Sequence, residues 1–487
     1  MSSEVKSVLD HHPSYEAVIG IEVHIQLKTK SKIFCSCPNH FGQEPNTNIC
    51  PVCTGHPGTL PVLNKTVVDY AIMAALATNS TVARTCGFAR KHYMYPDLPK
   101  NYQITQADVP ICSDGYIPIQ CADGSEKKVR LIRIHMEEDA GKNIHGMAGK
   151  SWVDLNRAGT PLLEVVTHPD ISSTYEARAY LMNLHTLIKY LGISDVNMEE
   201  GSFRADINIS MRKKGETKFG TRVELKNINS FKFIAQATEH EMSRQIEMLE
   251  NGERIKQETR LWDTKHQKTV FMRSKEESQD YRYLTEPDLP AIQIDDAWLE
   301  RIRHMIPELP YNKSRRFQDE YTLSANDAEI LVSEIAIARF FEQAARISNK
   351  PKQTSNWILR DLLAYLKEHK LELEQTKLTA QALAELVVAL DKGVINSKVG
   401  QEIFIEMIQT GKGADCIIKE KNLEQIDSVG ALEPIIIKII QDNADNVAKY
   451  KAGNDRLFPF FVGQAMKATG GKGNPVLIQE LLKKHLG

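Results

Sequence analysis

The sequence has no long hydrophobic run and no leader-like N-terminus. The longest apolar stretches, such as residues 432–440, are interrupted and much shorter than the ~20 residues of a bilayer span. Residues 1–14 have neither an apolar core nor an Arg-rich amphipathic pattern, so they predict a flexible terminus rather than a signal or transit peptide. We therefore expect a cytoplasmic protein with no membrane partner.

The sequence also lacks a charge excess and the common nucleotide-binding and nucleophile motifs. Its formal net charge is −2, so any nucleic acid would have to be held by local basic patches. The glycine-rich residues 468–473 lack P-loop spacing and predict a flexible basic loop, and neither a G-x-S-x-G elbow nor a kinase catalytic loop occurs. If this protein uses ATP, a sheet that carries acidic residues must bind it.

Length and pattern predict an α+β protein with several domains. A chain of 487 residues exceeds one ordinary core, which favours two to four domains. We expect a flexible N-terminus at 1–14, a mainly antiparallel sheet domain at 15–293, an all-α domain at 294–411 and a small helical tail at 412–487. Over 448–487 the tail has seven Lys or Arg residues against two acidic ones.

The sheet prediction rests on strict alternation of apolar and polar residues. In 15–29 the apolar face holds Ile19, Ile21, Val23, Ile25 and Leu27, and the polar face holds Glu22, His24 and Gln26. Residues 203–211 and 221–226 repeat this pattern. Period two with one apolar face is typical of an antiparallel sheet that covers a core on one side.

Helical periodicity occurs at 63–79 and 172–191 and dominates after about residue 290, where two prolines mark a boundary. Ser324 followed by Asp327 predicts a helix start, and further helices are expected at 359–366, 382–390 and 397–408. A second join is expected at 409–414. In the tail, Pro459 should break or delay a helix.

Four cysteines lie within nineteen residues and predict a metal site. They are Cys35, Cys37, Cys50 and Cys53. Four thiolates suit tetrahedral Zn²⁺ and leave no position for water, so the zinc would be structural. The alternative is two unrelated pairs of ordinary cysteines.

Acidic residues and one histidine on the predicted polar face suggest a second metal site. Glu22 and His24 leave one face of a strand ~6–7 Å apart. Further acids occur at 137–139 and at Glu224, and oxygen ligands with one imidazole favour Mg²⁺ or Mn²⁺. Strict alternation places Glu138 with Ile132 and Ile134, so a bend would be needed to bring it to the polar face. Cations that could hold phosphate oxygens are Lys91, Lys100, Arg204 and Arg222. The alternative is a polar face that is simply solvated.

Six segments in chain order resemble the GatB/GatE family of tRNA-dependent amidotransferase subunits. They are residues 16–24, 90–97, 135–142, 153–157, 198–202 and 224–231. The similarity extends from about residue 15 to the C-terminus, and the tail is similar to the YqeY family.

This resemblance implies a glutamine-synthetase-like cradle domain followed by a helical domain and a tRNA-binding tail. It implies ATP-dependent activation of the side-chain carboxylate of misacylated Glu-tRNA(Gln) or Asp-tRNA(Asn), and amidation with ammonia from a GatA amidase subunit tied to it by GatC. The magnesium ligands carried over are Glu22, His24, Glu138 and Glu224, and the zinc ligands are the four cysteines of 35–53. Lys91, Lys100 and Asp154 would line the ammonia path.

Two other functions fit part of the pattern. A freestanding ATP-dependent carboxylate–amine ligase would use the same acids without tRNA or partner. A zinc-bearing, non-enzymatic tRNA-binding scaffold would need no acids at all. The variant Glu138→Gln separates the readings, because only an enzyme should lose ATP turnover while it still binds tRNA.

Overall fold

The computed structural model describes residues 7–145, 150–274, 281–423, 429–470 and 473–487. Within these ranges the chain divides into two compact units, Met1–Pro310 and Tyr311–Gly487. The first unit holds the described strands and the second is helical, so the predicted α+β class is confirmed. None of the helices in these ranges is long and apolar enough to cross a membrane.

The first unit is built on strands joined by a few helices. In chain order the strands are β1 (Tyr15–Gln26), β2 (Thr81–Val82), β3 (Thr85–Cys86), β4 (Ala89–His92), β5 (Tyr102–Thr105), β6 (Cys112–Ser113), β7 (Tyr116–Gln120), β8 (Glu126–Glu138), β9 (Lys142–His145), β10 (Ser151–Asp154), β11 (Pro161–Thr167), β12 (Phe203–Lys213), β13 (Val223–Ile228), β14 (Glu258–Asp263), β15 (Lys268–Ser274), β16 (Leu284–Thr285) and β17 (Ile292–Gln293). The helices of this unit are α1 (Val8–His11), α2 (Lys65–Ala77), α3 (Thr174–Leu191), α4 (Phe231–Glu250) and α5 (Asp296–Arg303).

The main sheet runs β15-β14-β13-β12-β1-β11-β8-β5-β4-β16, with β2, β6 and β7 attached beside β8. All neighbours on the main path are antiparallel except β13 and β14, which are parallel. The long strands β1, β8 and β12 lie at the centre. The polar residues that alternation placed on one face of β1 and β12 therefore lie in the middle of the sheet.

The apolar face of the sheet packs against helices. Ile19, Ile21, Val23 and Ile25 of β1 are at most 1% exposed. They share one core with residues of α2, α3 and α4, for example Ile72, Leu184 and Ile234. Burying this row excludes water from one side only and leaves the other side of β1 to polar residues.

The second unit contains two separate helical cores. Its helices are α6 (Pro310–Tyr321), α7 (Ala325–Val332), α8 (Ile335–Ser348), α9 (Pro351–Asn356), α10 (Leu363–His369), α11 (Ala380–Asp391), α12 (Ser397–Thr410), α13 (Ala414–Glu420), α14 (Val429–Asp442), α15 (Ala444–Lys451), α16 (Phe458–Ala468) and α17 (Pro475–Leu486). One core includes residues from Phe317 to Ile418, and the other includes residues from Leu432 to Leu486. A π-helical turn, Trp357–Leu362, lies between α9 and α10, inside the predicted helical region.

Several local predictions agree with the structure. The Ser324 hydroxyl accepts a hydrogen bond from the Asp327 amide at 3.1 Å and caps α7. Pro459 lies in the first turn of α16, which begins at Phe458 directly after a short 3₁₀ turn, and a helix tolerates proline at that position. Gly471 and Lys472 of the predicted glycine-rich loop lie outside the described residues.

The expected domain limits and the observed cores do not coincide at every point. The first unit continues through α5 to Pro310, beyond the expected limit at 293, because Ile302 joins the core of the sheet domain. Similarly, Ile417 of α13 packs in the first helical core although it follows the expected limit at 411. Both limits were read from local sequence texture, which does not show which core a helix joins.

Candidate active site and metal centre

Four polar residues form a row across the centre of the sheet. Arg204 of β12 lies opposite His24 of β1, which lies opposite Glu164 of β11, which lies opposite His135 of β8. Directly opposed residues of antiparallel strands have Cβ atoms ~4.5–5.5 Å apart on one face. The register therefore brings four charged or ionisable side chains from four strands together.

One candidate cation site, the histidine site, consists of His24, Glu137 and Glu164. One ligand atom from each residue lies within 4.8 Å of the others. The Nε2 atom of His24 is 3.5 Å from Glu164 Oε2 and 3.7 Å from Glu137 Oε1. His135 lies next to this group, and its Nε2 atom is 3.2 Å from Glu164 Oε2.

The electrostatics of the histidine site are dominated by Glu164. Burial alone would raise the pKa of Glu164, but the charges of His135 and His24 and their hydrogen bonds hold it well below its usual range. Burial opposes charge on His135, yet Glu164 and Glu137 raise its pKa to about 9. A carboxylate that stays ionised when buried is a ready ligand for a cation.

A second candidate cation site, the oxygen site, consists of Glu22, Asp206 and Glu224. Asp206 lies opposite Glu22 in the β1–β12 pair, and one oxygen of each of the three carboxylates lies within 4.8 Å of the others. Burial raises the pKa of Glu22, and the charges of Glu164 and Asp206 raise it further. Crowded carboxylates of one sign favour a bound cation, and three oxygen donors suit Mg²⁺.

Neighbouring side chains hold the three carboxylates in place. Thr259 donates a hydrogen bond to Glu224 Oε2 at 2.8 Å, and Asn208 donates one to Glu22 Oε1 at 3.0 Å. The Lys226 ammonium is 2.5 Å from Asp206 Oδ2 and 3.5 Å from Glu224 Oε1. These contacts orient the oxygens toward a common point.

Glu138 lies apart from both sites. It pairs with the Lys100 ammonium and accepts a hydrogen bond from the Ile104 amide at 2.9 Å. With Cys35, Cys53 and Lys100 it lines a cavity of about 100 Å³. Since β8 pairs with β11 in regular register from Arg133 to Glu138, alternation keeps Glu138 on the side away from Glu137. Of the four carried-over magnesium ligands, Glu22 and Glu224 fall in the oxygen site, His24 falls in the histidine site and Glu138 in neither, among the described residues.

The predicted phosphate-binding cations occupy different environments. Burial opposes the charge of Lys91, but the charge of Glu137 raises its pKa, and its ammonium lies 4.8 Å from the centre of the Tyr281 ring. Arg204 donates a hydrogen bond to Asp139 Oδ2 at 2.8 Å, and Arg222 lies exposed just before β13. The charges of Asp139 and Glu137 raise the pKa of Arg204, so Lys91 and Arg204 are both predicted cations whose pKa is raised by the charge of Glu137.

Asp154 organises a loop. Its Oδ1 atom accepts hydrogen bonds from the amides of Asn46, at 3.1 Å, and Asn156, at 3.0 Å. With Gln26, Lys142 and Arg157 it lines a cavity of about 310 Å³. Asp154 thus lies beside an open space at the end of β1.

The four predicted cysteines form one cluster that could hold a metal ion. Their sulfurs all lie within 4.8 Å of one another, with Cys37 and Cys53 4.0 Å apart and Cys50 and Cys53 3.9 Å apart. A tetrahedral zinc with ~2.3 Å bonds separates its sulfurs by ~3.8 Å, so the donor set and spacing fit zinc. The amide of Cys50 donates to Cys53 Sγ at 3.2 Å, which stabilises a thiolate there.

A buried lysine supports the cysteine cluster. Lys32 is 0% exposed, and its ammonium donates to Asn48 O at 2.7 Å and to Cys53 Sγ at 3.6 Å. The hydrogen bond from Cys35 lowers the pKa of Cys53 to about 4, and the charge of Lys32 adds to this effect. The backbone of Gly159, whose φ is +81°, lies close to the Lys32 side chain: a Cβ atom at Gly159 would be 3.4 Å from Lys32 Cδ.

Three residues of the cation sites are not among the magnesium ligands that the family resemblance implied. They are Asp206, Glu137 and Glu164. Asp206 and Glu137 each belong to an alternating segment, so the strand pattern carried a usable signal for both. Glu164 is a single acid inside the apolar strand β11, and such an isolated charge in a buried strand is itself a signal of function.

The fold and these sites define an α+β protein with candidate cation-binding residues on one face of an antiparallel sheet and a separate cluster of four cysteines. Residues 17–300 match the model of the GatB/GatE catalytic domain, and residues 339–486 match that of the GatB domain. The chain belongs to the GatB/GatE family.

Curated relatives cover almost the whole chain. A protein of Thermodesulfovibrio yellowstonii is 49% identical over 472 residues, which cover 97% of this chain and 99% of the relative. A protein of Persephonella marina is 50% identical over 473 residues, and one of Myxococcus xanthus is 49% identical over 474, each with the same two coverages. All three are named as the B subunit of an aspartyl/glutamyl-tRNA(Asn/Gln) amidotransferase.

Proposed function

We propose that this chain is the GatB component of an aspartyl/glutamyl-tRNA(Asn/Gln) amidotransferase. It uses ATP and Mg²⁺ to activate the side-chain carboxylate of misacylated Glu-tRNA(Gln) or Asp-tRNA(Asn) in the cytoplasm. Ammonia comes from a GatA amidase subunit, which a GatC subunit ties to this chain. The observation that carries the proposal is the pair of adjacent cation sites on one sheet of a chain that matches amidotransferase relatives over 97% of its length.

The chemistry needs what these sites can supply. A carboxylate is a poor electrophile because its oxygen leaves badly, and phosphoryl transfer from ATP makes that oxygen a good leaving group. Such transfer depends on alignment and charge neutralisation more than on covalent chemistry by the enzyme. Bound Mg²⁺ would supply this neutralisation.

The residues of the two sites have separate roles in this proposal. The oxygen site would hold one cation through the carboxylates of Glu22, Asp206 and Glu224, and the histidine site would hold a second through Glu137, Glu164 and the imidazole of His24. His24 and Glu22 are two residues apart on β1, so the two cations would be neighbours on one face. Lys91 neutralises developing negative charge beside Glu137.

The ammonia path is proposed to pass Lys91, Lys100 and Asp154. The Lys100–Glu138 pair supports this proposal because it lines a cavity next to the sheet and away from the cation face. Ammonia must stay neutral and apart from bulk water to attack the activated carbonyl. A narrow passage whose charged groups are already paired suits such a molecule.

The cysteine cluster is proposed to hold a structural Zn²⁺. Four thiolate donors leave no open position for a substrate, and Lys32 offsets part of the cluster's negative charge. The zinc would therefore stabilise the segment of 32–62 that lines the Lys100–Glu138 cavity.

The tail is proposed to hold the body of the tRNA. Its surplus of Lys and Arg suits phosphate contacts, and tRNA recognised by shape needs few base contacts. The match of 339–486 to the GatB domain includes this tail, which disfavours a freestanding ligase. The acids at the two cation sites disfavour a scaffold without catalysis.

The test is purification of this chain co-expressed with GatA and GatC. We expect conversion of Glu-tRNA(Gln), Asp-tRNA(Asn) or both to the amide, dependent on ATP and glutamine. Glu224→Gln should abolish this conversion while tRNA still binds. A complex that forms and binds tRNA but amidates neither substrate would contradict the proposal.

A further inference from the structure

Asn208 lies between the three carboxylates of the oxygen site. On β12 it stands opposite Gly20 of β1 and opposite Glu224 of β13, two residues after Asp206. Residues two apart on a strand point to the same face, so the Asn208 amide shares the face of all three carboxylates.

Of the two polar atoms of the Asn208 side-chain amide, only the nitrogen has a hydrogen-bond partner in the described part of the chain. Asn208 is 8% exposed, and its Nδ2 donates to Glu22 Oε1 at 3.0 Å. An ionised carboxylate only accepts hydrogen bonds, so the amide nitrogen must face Glu22 and the carbonyl oxygen must point elsewhere. In the described part of the chain, this Oδ1 atom is buried and has no hydrogen-bond partner.

A buried acceptor without a donor is unfavourable, and Asn208 shares its face of the sheet with three carboxylates, whose oxygens are acceptors too. A cation satisfies all of them at once. Hard divalent cations take six or more oxygen ligands, including side-chain amide oxygens, and three carboxylates do not fill that number. A neutral oxygen adds coordination without adding a further negative charge to the three carboxylates.

We propose that the Asn208 carbonyl oxygen is a fourth protein ligand of the cation held at the oxygen site. This inference rests on the proposed function, because it takes the cation site from there. With this ligand the oxygen site has four protein ligands, all of them oxygen. The histidine site, in contrast, includes an imidazole.

A purely orienting role for Asn208 makes a different prediction from a ligand role. Asn208→Ala removes both the donor to Glu22 and the oxygen. Asn208→Asp removes the donor and keeps an oxygen at the same place. If Asn208 only orients Glu22, the two variants should lose cation binding equally, whereas a ligand role requires Asp to retain it.

The experiment titrates the full-length chain with Mn²⁺ and measures free Mn²⁺ by electron paramagnetic resonance. We expect two sites in wild type, one of them weakened ~10-fold or more in Asn208→Ala and both retained in Asn208→Asp. Ser210→Ala, the next buried residue on that face of β12, is the matched control and should keep both sites. His24→Ala should remove the other Mn²⁺ site, and this loss identifies which of the two titrated sites is the histidine site.

Thermal melting without cation checks that each variant folds. The inference is overturned if Asn208→Ala binds two Mn²⁺ ions as tightly as wild type, or if Asn208→Asp loses the site as Asn208→Ala does. A wild-type chain that binds no divalent cation contradicts the proposed function itself, so the two failures are distinguishable.

Discussion

Asp206 is the residue that completes the oxygen site. It lies opposite Glu22, it contacts Lys226, and together with Glu224 it brings three strands to one point. Asp206→Asn keeps the size of the side chain and removes its charge. We expect ATP turnover to fall about 100-fold or more while tRNA binding is retained, because the cation loses a charged ligand.

The measurement is tRNA-dependent ADP release by the assembled complex, with tRNA binding measured separately. Asp195→Asn is the matched control, since Asp195 is an exposed acid of the same unit that pairs with Lys28 at 3.7 Å. A wild-type rate in Asp206→Asn would exclude Asp206 as a ligand.

Lys32 is expected to offset negative charge at the cysteine cluster. It is fully buried, and its ammonium contacts Cys53 Sγ and two carbonyl oxygens. Four thiolates on a divalent zinc carry a net charge of about −2, which a buried cation offsets. We expect Lys32→Met, which keeps the length of the side chain, to weaken metal binding about 10- to 100-fold.

The test loads the cysteine cluster with Co²⁺ and follows its thiolate charge-transfer absorption during competition with a chelator. Lys30→Met is the control because Lys30 is exposed and two residues away. Equal loss of Co²⁺ from wild type and Lys32→Met would show that Lys32 only fills space.

Glu137 and Glu138 show how far residue patterns determine a site. Alternation along β8 places Glu137 with His135, and it places Glu138 on the other side with Lys100. Alternation in the sequence predicts that Glu137 and Glu138 lie on opposite sides of the strand, but it does not predict the contact of Glu138 with Lys100. It also does not predict which strands lie beside β1, since pairing of β1 with β11 and β12 joins segments more than a hundred residues apart. The contribution of Glu164 depends on this long-range pairing.

Among the elements, strands with a clear period and helices with cap residues were the most predictable. β1, β12 and β13 begin within two residues of the alternating segments, and α2, α3 and α12 overlap the expected helices. Short strands such as β16 and β17 had no detectable signal, because two residues cannot show a period. They exist because a neighbouring strand provides hydrogen-bond partners.

Helix α4 offers a pH-dependent contact with the sheet. The amide of Thr269 on β15 donates to His240 Nδ1 at 3.4 Å, and the His240 ring lies 6.0 Å from that of Trp262 on β14. An imidazole nitrogen that accepts a hydrogen bond is unprotonated. Burial lowers the pKa of His240, which keeps the ring neutral in the folded state.

The sign of the stability effect follows from this shift. Because the pKa of His240 is lower in the folded chain than in the unfolded chain, the unfolded chain binds the proton first as the pH falls. The contribution of His240 to stability is therefore complete above about pH 6.5 and declines below it. His240→Phe keeps the ring and removes the titration.

We expect the Tm of wild type to fall more than that of His240→Phe between neutral and mildly acidic pH, by about 1–2 °C. The measurement is thermal unfolding across this range in one buffer ionic strength. His266→Phe is the control, since His266 is largely exposed in the turn between β14 and β15. Parallel slopes for wild type and His240→Phe would contradict the assignment.

We propose that catalysis and nucleic-acid binding belong to different parts of the chain, each with its own hydrophobic core. Both candidate cation sites and the cysteine cluster belong to the first unit. The tail has its own core, formed by α14, α16 and α17 around Phe461 and Leu482. A separate core allows the surface of the tail to change without altering the sheet, which makes the two roles separable by mutation.

Lys449 and Lys451, in the last turn of α15, are exposed and provide a test of the tail. If they contact tRNA phosphates, replacing both with Gln removes up to two ion contacts and the counterions released with them. The slope of log K against log salt concentration should then decrease by about 1–2, and affinity should fall most at low salt. ATP turnover at saturating tRNA should remain, because the cation sites are untouched.

The matched control replaces Lys213 and Lys214, two exposed lysines at the end of β12, with Gln. Both double variants change the net charge of the chain equally, so a general loss of attraction would affect them alike. A phosphate contact by the tail requires that only the α15 pair changes the salt slope. If the two double variants bind tRNA with the same slope as each other, the tail does not hold tRNA through α15.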